Sequence, residues 1–95
     1  MPTAPQSVTA APDAKKGIDL AWSAPSSNGG SAITGYQIYR GTSPGNETLL
    51  TTVASSARTY HDQNAIRNRR YYYVIRAVNA VGAGSPSSEV TAIAR

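Results

Sequence analysis

The sequence contains no cysteine, a single histidine and no apolar run that approaches the length of a membrane span. Without cysteine, the chain can form neither a disulfide framework nor a thiolate metal site, and this absence is compatible with any cellular compartment. A spanning helix needs about 20 consecutive apolar residues, so we expect no contact with a membrane. No secretory signal precedes Pro2, and we expect any such segment to have been removed.

Charge is also scarce, because only 15% of the 95 residues are charged and the net charge is +4. A surface that binds nucleic acid would need a continuous basic face with stacking aromatic residues, whereas the arginines here are mostly dispersed. We therefore expect no nucleic-acid partner. A hydrophobic content of 40% is typical of a globular chain, and the length predicts one domain spanning residues 1–95.

Catalytic chemistry lacks its usual residue combinations. His61 has Asp62 beside it, but adjacent strand residues point to opposite faces of a sheet, so the sequence predicts a solvated edge-strand histidine without a second metal ligand. The serines lie in loops with no base to activate them. We expect no enzyme, no cofactor and no metal site. No acid/base spacing links the five acidic residues, which are Asp13, Asp19, Glu47, Asp62 and Glu89.

What the sequence does contain is a series of short, mostly alternating extended segments. Turns rich in Gly, Pro, Ser and Asn separate them, for example at 24–32, 41–46 and 82–86. No segment has helical periodicity of useful length. Many short strands at regular spacing predict a sandwich or a small barrel. The seven predicted strands cover residues 7–11, 17–22, 34–40, 47–53, 58–62, 70–79 and 88–94.

Three motifs in a fixed order make the chain similar to a known family. They read "LAWSAP" (20–25), "ITGYQIYR" (33–40) and "YYYVIRAVNAVGAGSPSS" (71–88). Over essentially its whole length the chain resembles a bacterial-type fibronectin type III domain. This resemblance implies an all-β, seven-stranded immunoglobulin-like sandwich of two antiparallel sheets. If the predicted strands are labelled A, B, C, C′, E, F and G in chain order, one sheet would hold A, B and E and the other C, C′, F and G.

The connection before strand F departs from the family pattern, in which a Leu and then a Gly precede that strand. Here it reads "AIRNRR" (65–70), and we expect Ile66 to take the place of the Leu. With Ile66 in that role, the spacing to Tyr71 is one residue shorter than in the family, and the Gly is missing. The resemblance therefore does not predict the conformation of this E–F turn.

The resemblance places the two faces of strand F in different environments. Its odd-numbered residues, from Tyr71 to Ala77, would face the core, and Tyr71 would return its hydroxyl to the backbone of the E–F turn. A buried phenol needs such a partner, because an unpaired hydroxyl costs about 1–3 kcal/mol. Together with the alternating strands B and C, this predicts a structural core that includes Trp22, Tyr36 and Tyr71.

The even-numbered residues of strand F would lie on the outer face of the sheet, beside Gln37 and Tyr39 of strand C. The interpretation that we favour is cross-strand packing, in which the stem of Arg76 covers an aromatic ring. The other interpretation is a binding face, either for a neighbouring domain or for a sugar stacked on Tyr39 and Tyr72. Tyr39, Tyr72 and Arg76 are therefore candidate partner-binding residues.

The turns at the two ends of the predicted sandwich differ in charge. The A–B and E–F turns would form one basic pole, which Asp13 and Asp62 partly offset. We expect it to bind no specific polyanion, because salt screens exposed charges beyond about 8 Å. Its basic residues are Lys15, Lys16, Arg67, Arg69 and Arg70.

The other pole would carry three uncharged loops: B–C (23–32), the loop between C′ and E, called D–E in this family (54–57), and F–G (80–87). These loops lack the Trp, Tyr and Arg side chains that usually supply binding energy. Their candidate partner-binding residues are Asn28, Gly29 and Gly84.

Taken together, the residues and the resemblance predict a non-catalytic spacer or linker module of a secreted, extracellular multidomain protein. The resemblance implies a polysaccharide-degrading enzyme as one parent. The expected partners are the neighbouring domains of the parent chain, with protein or polysaccharide as further classes, and the isolated domain is expected to be a monomer. The alternative is a binding module: a protein or carbohydrate binder, or an engineered scaffold that uses the B–C, D–E and F–G loops.

Overall fold

The computed structural model describes residues 2–13 and 16–94, which form eight β-strands. No helix within these ranges is long and apolar enough to cross a membrane. The strands are β1 (Gln6–Pro12), β2 (Ile18–Ser23), β3 (Ile33–Gly41), β4 (Thr48–Ala54), β5 (Thr59–Asp62), β6 (Arg70–Asn79), β7 (Gly82–Ala83) and β8 (Val90–Ile93).

Two antiparallel sheets are stacked into a sandwich, which confirms the predicted fold class. Strands β1, β2 and β5 form the three-stranded sheet in that order, and they correspond to the predicted strands A, B and E. The five-stranded sheet has the order β4-β3-β6, and both β7 and β8 pair with the remaining edge of β6. In this sheet β3, β4 and β6 correspond to strands C, C′ and F.

The eighth strand arises because the predicted strand G is divided. β7 pairs with the end of β6, and β8 pairs with its beginning. Between them lies Pro86, which cannot donate to a ladder. Ser87 keeps this stretch attached to β6: its Oγ accepts the Ile75 N–H at 2.9 Å, and its own N–H donates to the Ile75 carbonyl at 2.8 Å. The sequence predicts only a loop where β7 lies.

The core lies between the sheets and is built by the alternation of β2, β3 and β6. The odd-numbered residues of β6 are all buried, and its even-numbered residues from Tyr72 to Val78 are half-buried. Trp22 and Tyr36 meet across the two sheets with ring centroids 5.6 Å apart. The largest side chains that are fully buried are Tyr36, Tyr73, Ile18, Leu20, Ile38, Ile75 and Asp62.

The E–F turn shows that the expectation for Ile66 was wrong. Ile66 is 57% exposed, and Ala65, one residue earlier, occupies the buried position at 4% exposure. With Ala65 in that role, the spacing to Tyr71 is no longer one residue short. Asn68 has a φ of 68°, a left-handed conformation that asparagine adopts more readily than most residues. It supplies the positive φ in a turn that contains no Gly.

The first and last described segments lie at opposite poles of the sandwich. Thr3 donates its N–H to the Ser27 carbonyl at 3.0 Å, and its Oγ1 accepts the Ser27 N–H at 3.0 Å, so this segment is tied to the B–C loop. At the other pole, Ala94 accepts the Asn68 N–H at 2.9 Å and donates to the Arg69 carbonyl at 3.0 Å. The two segments are therefore tied to opposite ends of the strands, in a molecule whose longest dimension is 41 Å.

Candidate functional site

The outer face of the larger sheet brings Tyr39 and Arg76 together. The register of β3 and β6 sets Gln37 opposite Arg76 and Tyr39 opposite Val74. The Arg76 guanidinium carbon lies 5.6 Å from the centroid of the Tyr39 ring and its Nη1 donates to the Gly84 carbonyl at 2.9 Å. The Tyr39 hydroxyl donates to Gln37 Oε1 at 2.8 Å. Both the face and the polar end of this tyrosine are therefore occupied by neighbours on the same sheet.

Tyr72 belongs to the same face but lies farther along it. It pairs with Gly41 on β3 and with Thr91 on β8, so it is diagonal to Tyr39 rather than directly opposite. Diagonal positions on a sheet are about 7–8 Å apart, within reach of large side chains. Tyr72 is half-buried. The two tyrosines thus share a surface, and only Tyr39 is covered by the arginine.

A shallow groove beside Tyr39 contains residues that the sequence analysis did not connect with this face. Gly45 and Glu47 line it together with Tyr39, Val74, Arg76 and Pro86. Glu89 reaches the same place, because its Oε2 accepts the Gly45 N–H at 3.0 Å. No sequence signal links Glu47 with Glu89, because only the folding of the C–C′ turn against strand G brings them together.

The two carboxyl groups of this groove perturb each other. The Glu47 Oε2 atom is buried and receives no hydrogen bond from the described residues. Burial raises the pKa of Glu47, and the neighbouring Glu89 carboxyl raises it further. The Glu47 carboxyl in turn lowers the pKa of Glu89, with help from the Gly45 N–H. The arrangement favours one shared proton.

The uncharged B–C and F–G loops offer less accessible surface for a partner than the sequence suggests. Gly84 is buried, and a Cβ on it would overlap the Pro2 backbone, so the N-terminal segment leaves it no exposed surface for a partner. Asn28 is exposed, but its carbonyl accepts from Asn79 Nδ2 at 2.6 Å and its Oδ1 accepts the Gly30 N–H at 2.9 Å. Gly29 is exposed with a φ of 70°.

The basic pole contains a buried polar cluster in place of an exposed acid. Asp62 is fully buried, so the expectation that it partly offsets the surface charges was wrong. It accepts hydrogen bonds from Arg40 Nη1 at 3.0 Å, from the Tyr73 hydroxyl at 2.6 Å and from the Asn64 N–H at 3.2 Å. Burial raises the pKa of Tyr73 far above its ordinary value, and the hydrogen bond to Asp62 adds to the effect. Tyr60 and Asp62 are two residues apart on β5, so they point to the same side of the sheet, and Tyr60 packs against the core. This spacing is the sequence signal from which the burial of Asp62 could have been predicted.

The surface residues of this pole are solvent-exposed. The E–F turn and the start of β6 carry Arg67, Arg69 and Arg70, and the A–B turn carries Lys16. Lys15 lies outside the described residues. His61 is exposed as predicted, but the prediction that it has no second ligand nearby was wrong, because Asp19 Oδ1 lies 2.7 Å and Asp13 Oδ2 lies 3.6 Å from its Nδ1.

The strand order and the position of Tyr71 define an immunoglobulin-like sandwich with a tyrosine corner, in which the Tyr71 hydroxyl accepts the Ile66 N–H at 2.9 Å. The sequence model of the "Fibronectin type III domain" matches residues 3–93. The chain belongs to the fibronectin type III domain family.

The chain is similar in sequence or structure to parts of very different proteins. The chain is 32% identical over 87 residues to titin of Drosophila melanogaster, covering 90% of this chain and, to the nearest per cent, 0% of titin. It is 34% identical over 87 residues to exoglucanase A of Cellulomonas fimi, covering 92% of this chain and 9% of that protein. An Fn3-like protein from Clostridium thermocellum has a similar structure, with a TM-score of 0.83, 24% identity and coverage of 99% and 94% of the two chains.

The chain spans less than a tenth of the length of titin and of exoglucanase A. In both relatives the matching domain is a small part of a much longer chain, and these chains are as different as titin and a bacterial exoglucanase. Domains of this family are generally non-catalytic, although they also occur in enzymes.

Proposed function

We propose that this domain is a non-catalytic spacer that holds its neighbours apart in a secreted multidomain protein, with a polysaccharide-degrading enzyme as the expected parent. The observation that carries the proposal is the position of the two end segments, which are hydrogen-bonded to opposite poles of a 41 Å molecule. A folded module entered at one pole and left at the other separates its neighbours by a fixed distance.

The state of the outer face also supports a spacer. A sugar platform needs an accessible aromatic ring, but the face of Tyr39 is covered by Arg76 and its hydroxyl bonds to Gln37. The exoglucanase relative supports the expected parent, because its name denotes a glycan-degrading enzyme and the matched region is 9% of its length. The neighbouring domains would then be the partners, and the isolated domain would be a monomer.

The spacer proposal is tested by measuring the distance between the two poles. Because the chain has no cysteine, Ser26→Cys and Arg67→Cys together introduce the only two labelling sites, one at each pole. Spin labels there should give one narrow distance distribution, and the same distribution when folded domains are fused to both ends. A Gly/Ser linker of the same residue count, labelled at the same two positions, is the control, and a flexible coil between these positions has a broad distribution around about 35 Å. A broad distribution in the folded chain would contradict the proposal.

A carbohydrate- or protein-binding module is the competing function, and the groove beside Tyr39 is the feature that favours it. Titration with chitin, cellulose and xylan oligosaccharides while following backbone amide shifts separates the two. The spacer proposal predicts no saturable change. Saturable shifts centred on Tyr39, Tyr72 and Arg76 that disappear in Tyr39→Ala would establish a sugar-binding face, whereas a protein partner that perturbs only 26–31 and 81–86 would establish a loop-based binder.

A further inference from the structure

One imidazole and two carboxylates meet on the outer surface of the three-stranded sheet, at its basic pole. They come from three segments: Asp13 follows β1, Asp19 lies on β2 and His61 lies on β5. Their ligand atoms all lie within 4.8 Å of one another. Asp19 and His61 are half-exposed, so the group is accessible from solvent.

The backbone holds these three side chains in place. Asp19 and His61 are direct partners in the register of β2 and β5, so both point outward from the same position on the sheet. Asp13 begins the A–B turn, where its N–H donates to the Gly17 carbonyl at 3.0 Å and its Oδ1 accepts the Lys16 N–H at 3.3 Å. Its second oxygen, Oδ2, is then directed at His61. The group is therefore largely preorganised.

The hydrogen bond between His61 and Asp19 involves one of the two carboxylates that face the imidazole. Nδ1 of His61 carries at most one proton, and Asp19 at 2.7 Å is its natural acceptor. The Asp13 carboxylate approaches the same nitrogen to 3.6 Å and cannot share that proton with good geometry. A cation that replaces the proton can bind all three groups at once.

The spacing is suitable for a transition-metal ion. Ligands at about 2.1 Å from a metal are about 3.0 Å apart at a right angle and about 3.4 Å apart at the tetrahedral angle. The observed separations of 2.7 and 3.6 Å from Nδ1 are within a few tenths of an ångström of these values. The two carboxylate oxygens lie within 4.8 Å of each other, and the side chains of Asp13 and Asp19 can close on an ion from there. Imidazole nitrogen with carboxylate oxygen favours zinc and its neighbours, whereas calcium and magnesium prefer oxygen alone. We propose that Asp13, Asp19 and His61 form a surface site for a divalent transition-metal ion such as Zn²⁺.

The single histidine makes the test direct. In the untagged chain, the ring protons of His61 give one set of histidine NMR signals, which can be followed as zinc chloride is added. The expected result is a saturable shift at one zinc per chain, together with amide shifts at Asp13 and Asp19. Calcium chloride at the same concentration should produce no shift of the ring.

Variants decide whether the carboxylates take part. Asp13→Asn and Asp19→Asn should each weaken zinc binding by at least about tenfold, because even the loss of a group that only supports a ligand has that effect. Glu89→Gln removes a carboxylate from the other sheet and should leave the affinity within about twofold of the parent. Amide spectra without metal check that each variant is folded. His61→Gln should abolish binding, which is followed through the amide shifts of Asp13 and Asp19 because this variant has no histidine ring signal. Absence of a saturable shift, or equal affinity in both Asp variants and the parent, would overturn the proposal.

Discussion

The inner and outer faces of β6 carry the same residue type in different roles. On the inner face, Tyr71 and Tyr73 are almost fully buried, and each hydroxyl has a specific partner: the Ile66 N–H for Tyr71 and the Asp62 carboxylate for Tyr73. On the outer face, the half-buried Tyr72 lies beside Gly41 and Thr91. Because water can satisfy an exposed hydroxyl but not a buried one, adjacent tyrosines differ in how much the fold depends on them.

The core shows a second difference, between Tyr73 of β6 and Tyr36 of β3. Tyr36 is fully buried like Tyr73, yet its hydroxyl has no hydrogen-bond partner among residues 2–13 and 16–94. Tyr36 therefore contributes mainly through its ring, which packs on Trp22 and beneath Arg58. Tyr73 contributes through both its ring and its polar end, so burial alone does not determine what a side chain contributes.

The largest expected effect comes from removing the biggest ring of the core, the Trp22 indole on β2. Trp22→Ala should destabilise the domain by about 3–5 kcal/mol, because a large buried aromatic leaves a cavity that the sheets cannot fill. Such a loss would unfold much of a domain with a total stability of about 5–15 kcal/mol. Urea unfolding measures it, with the outer-face Tyr39→Ala as the control that should lose much less. Native tryptophan emission matching free tryptophan in water would contradict the burial of Trp22.

The next effect tests the buried hydrogen bond to Asp62. Tyr73→Phe should cost about 1.5–3 kcal/mol, since it removes a hydrogen bond to a charged group and leaves a buried carboxylate oxygen with fewer donors. Tyr36→Phe is the matched control: it also removes one buried hydroxyl, and it should change the urea midpoint little. Equal losses in the two variants would show that the hydrogen bond to Asp62 contributes nothing beyond ring packing.

A smaller effect separates the two adjacent tyrosines at the start of β6. Tyr71→Phe should cost about 1–3 kcal/mol by leaving the Ile66 N–H without its acceptor, and Ile66 is partly accessible, so we expect the lower end of that range. Tyr72→Phe should be nearly silent. The two urea midpoints are compared under identical conditions, and a larger loss for Tyr72 would reverse the face assignment.

The smallest effect concerns the carboxyl pair on the outer face. Glu47 has a raised pKa, so its contribution to stability is present at low pH and is lost as pH rises through the raised value. Glu89 has a lowered pKa, so its contribution is lost as pH falls through the lowered value. The pair is therefore most favourable near the ordinary carboxyl pKa of 4.5, where one proton is shared.

The opposite pKa shifts of the pair predict how Glu47→Gln behaves. Glutamine supplies a permanent donor to Glu89, so the variant should gain stability relative to the parent at neutral pH and lose that advantage near pH 4.5. Urea midpoints at the two pH values measure the difference. The comparison with Glu89→Gln, which weakens the contact with the Gly45 N–H, shows whether the effect belongs to the pair. A difference from the parent that does not change with pH would refute the shared proton.

The sequence alone determined the alternation of inner and outer residues in β2, β3 and β6, because a strand has a side-chain period of two and the apolar residues follow it. It also determined the turns, because Gly, Pro, Asn and Ser mark them. The position of Trp22, Tyr36 and Tyr71 in the core follows from these two local signals and from the ordered family motifs.

Only the tertiary structure decided which distant polar groups meet. Asp62 with Arg40, Glu47 with Glu89, and Asp13 and Asp19 with His61 are each joined by strand pairing or turn packing across gaps in the chain. Ala65, not Ile66, entered the core because of how the E–F turn folds, and Gly84 became buried because Pro2 packs against it. Such contacts depend on the register between strands and on loop conformation, and neither has a period that a single sequence reveals.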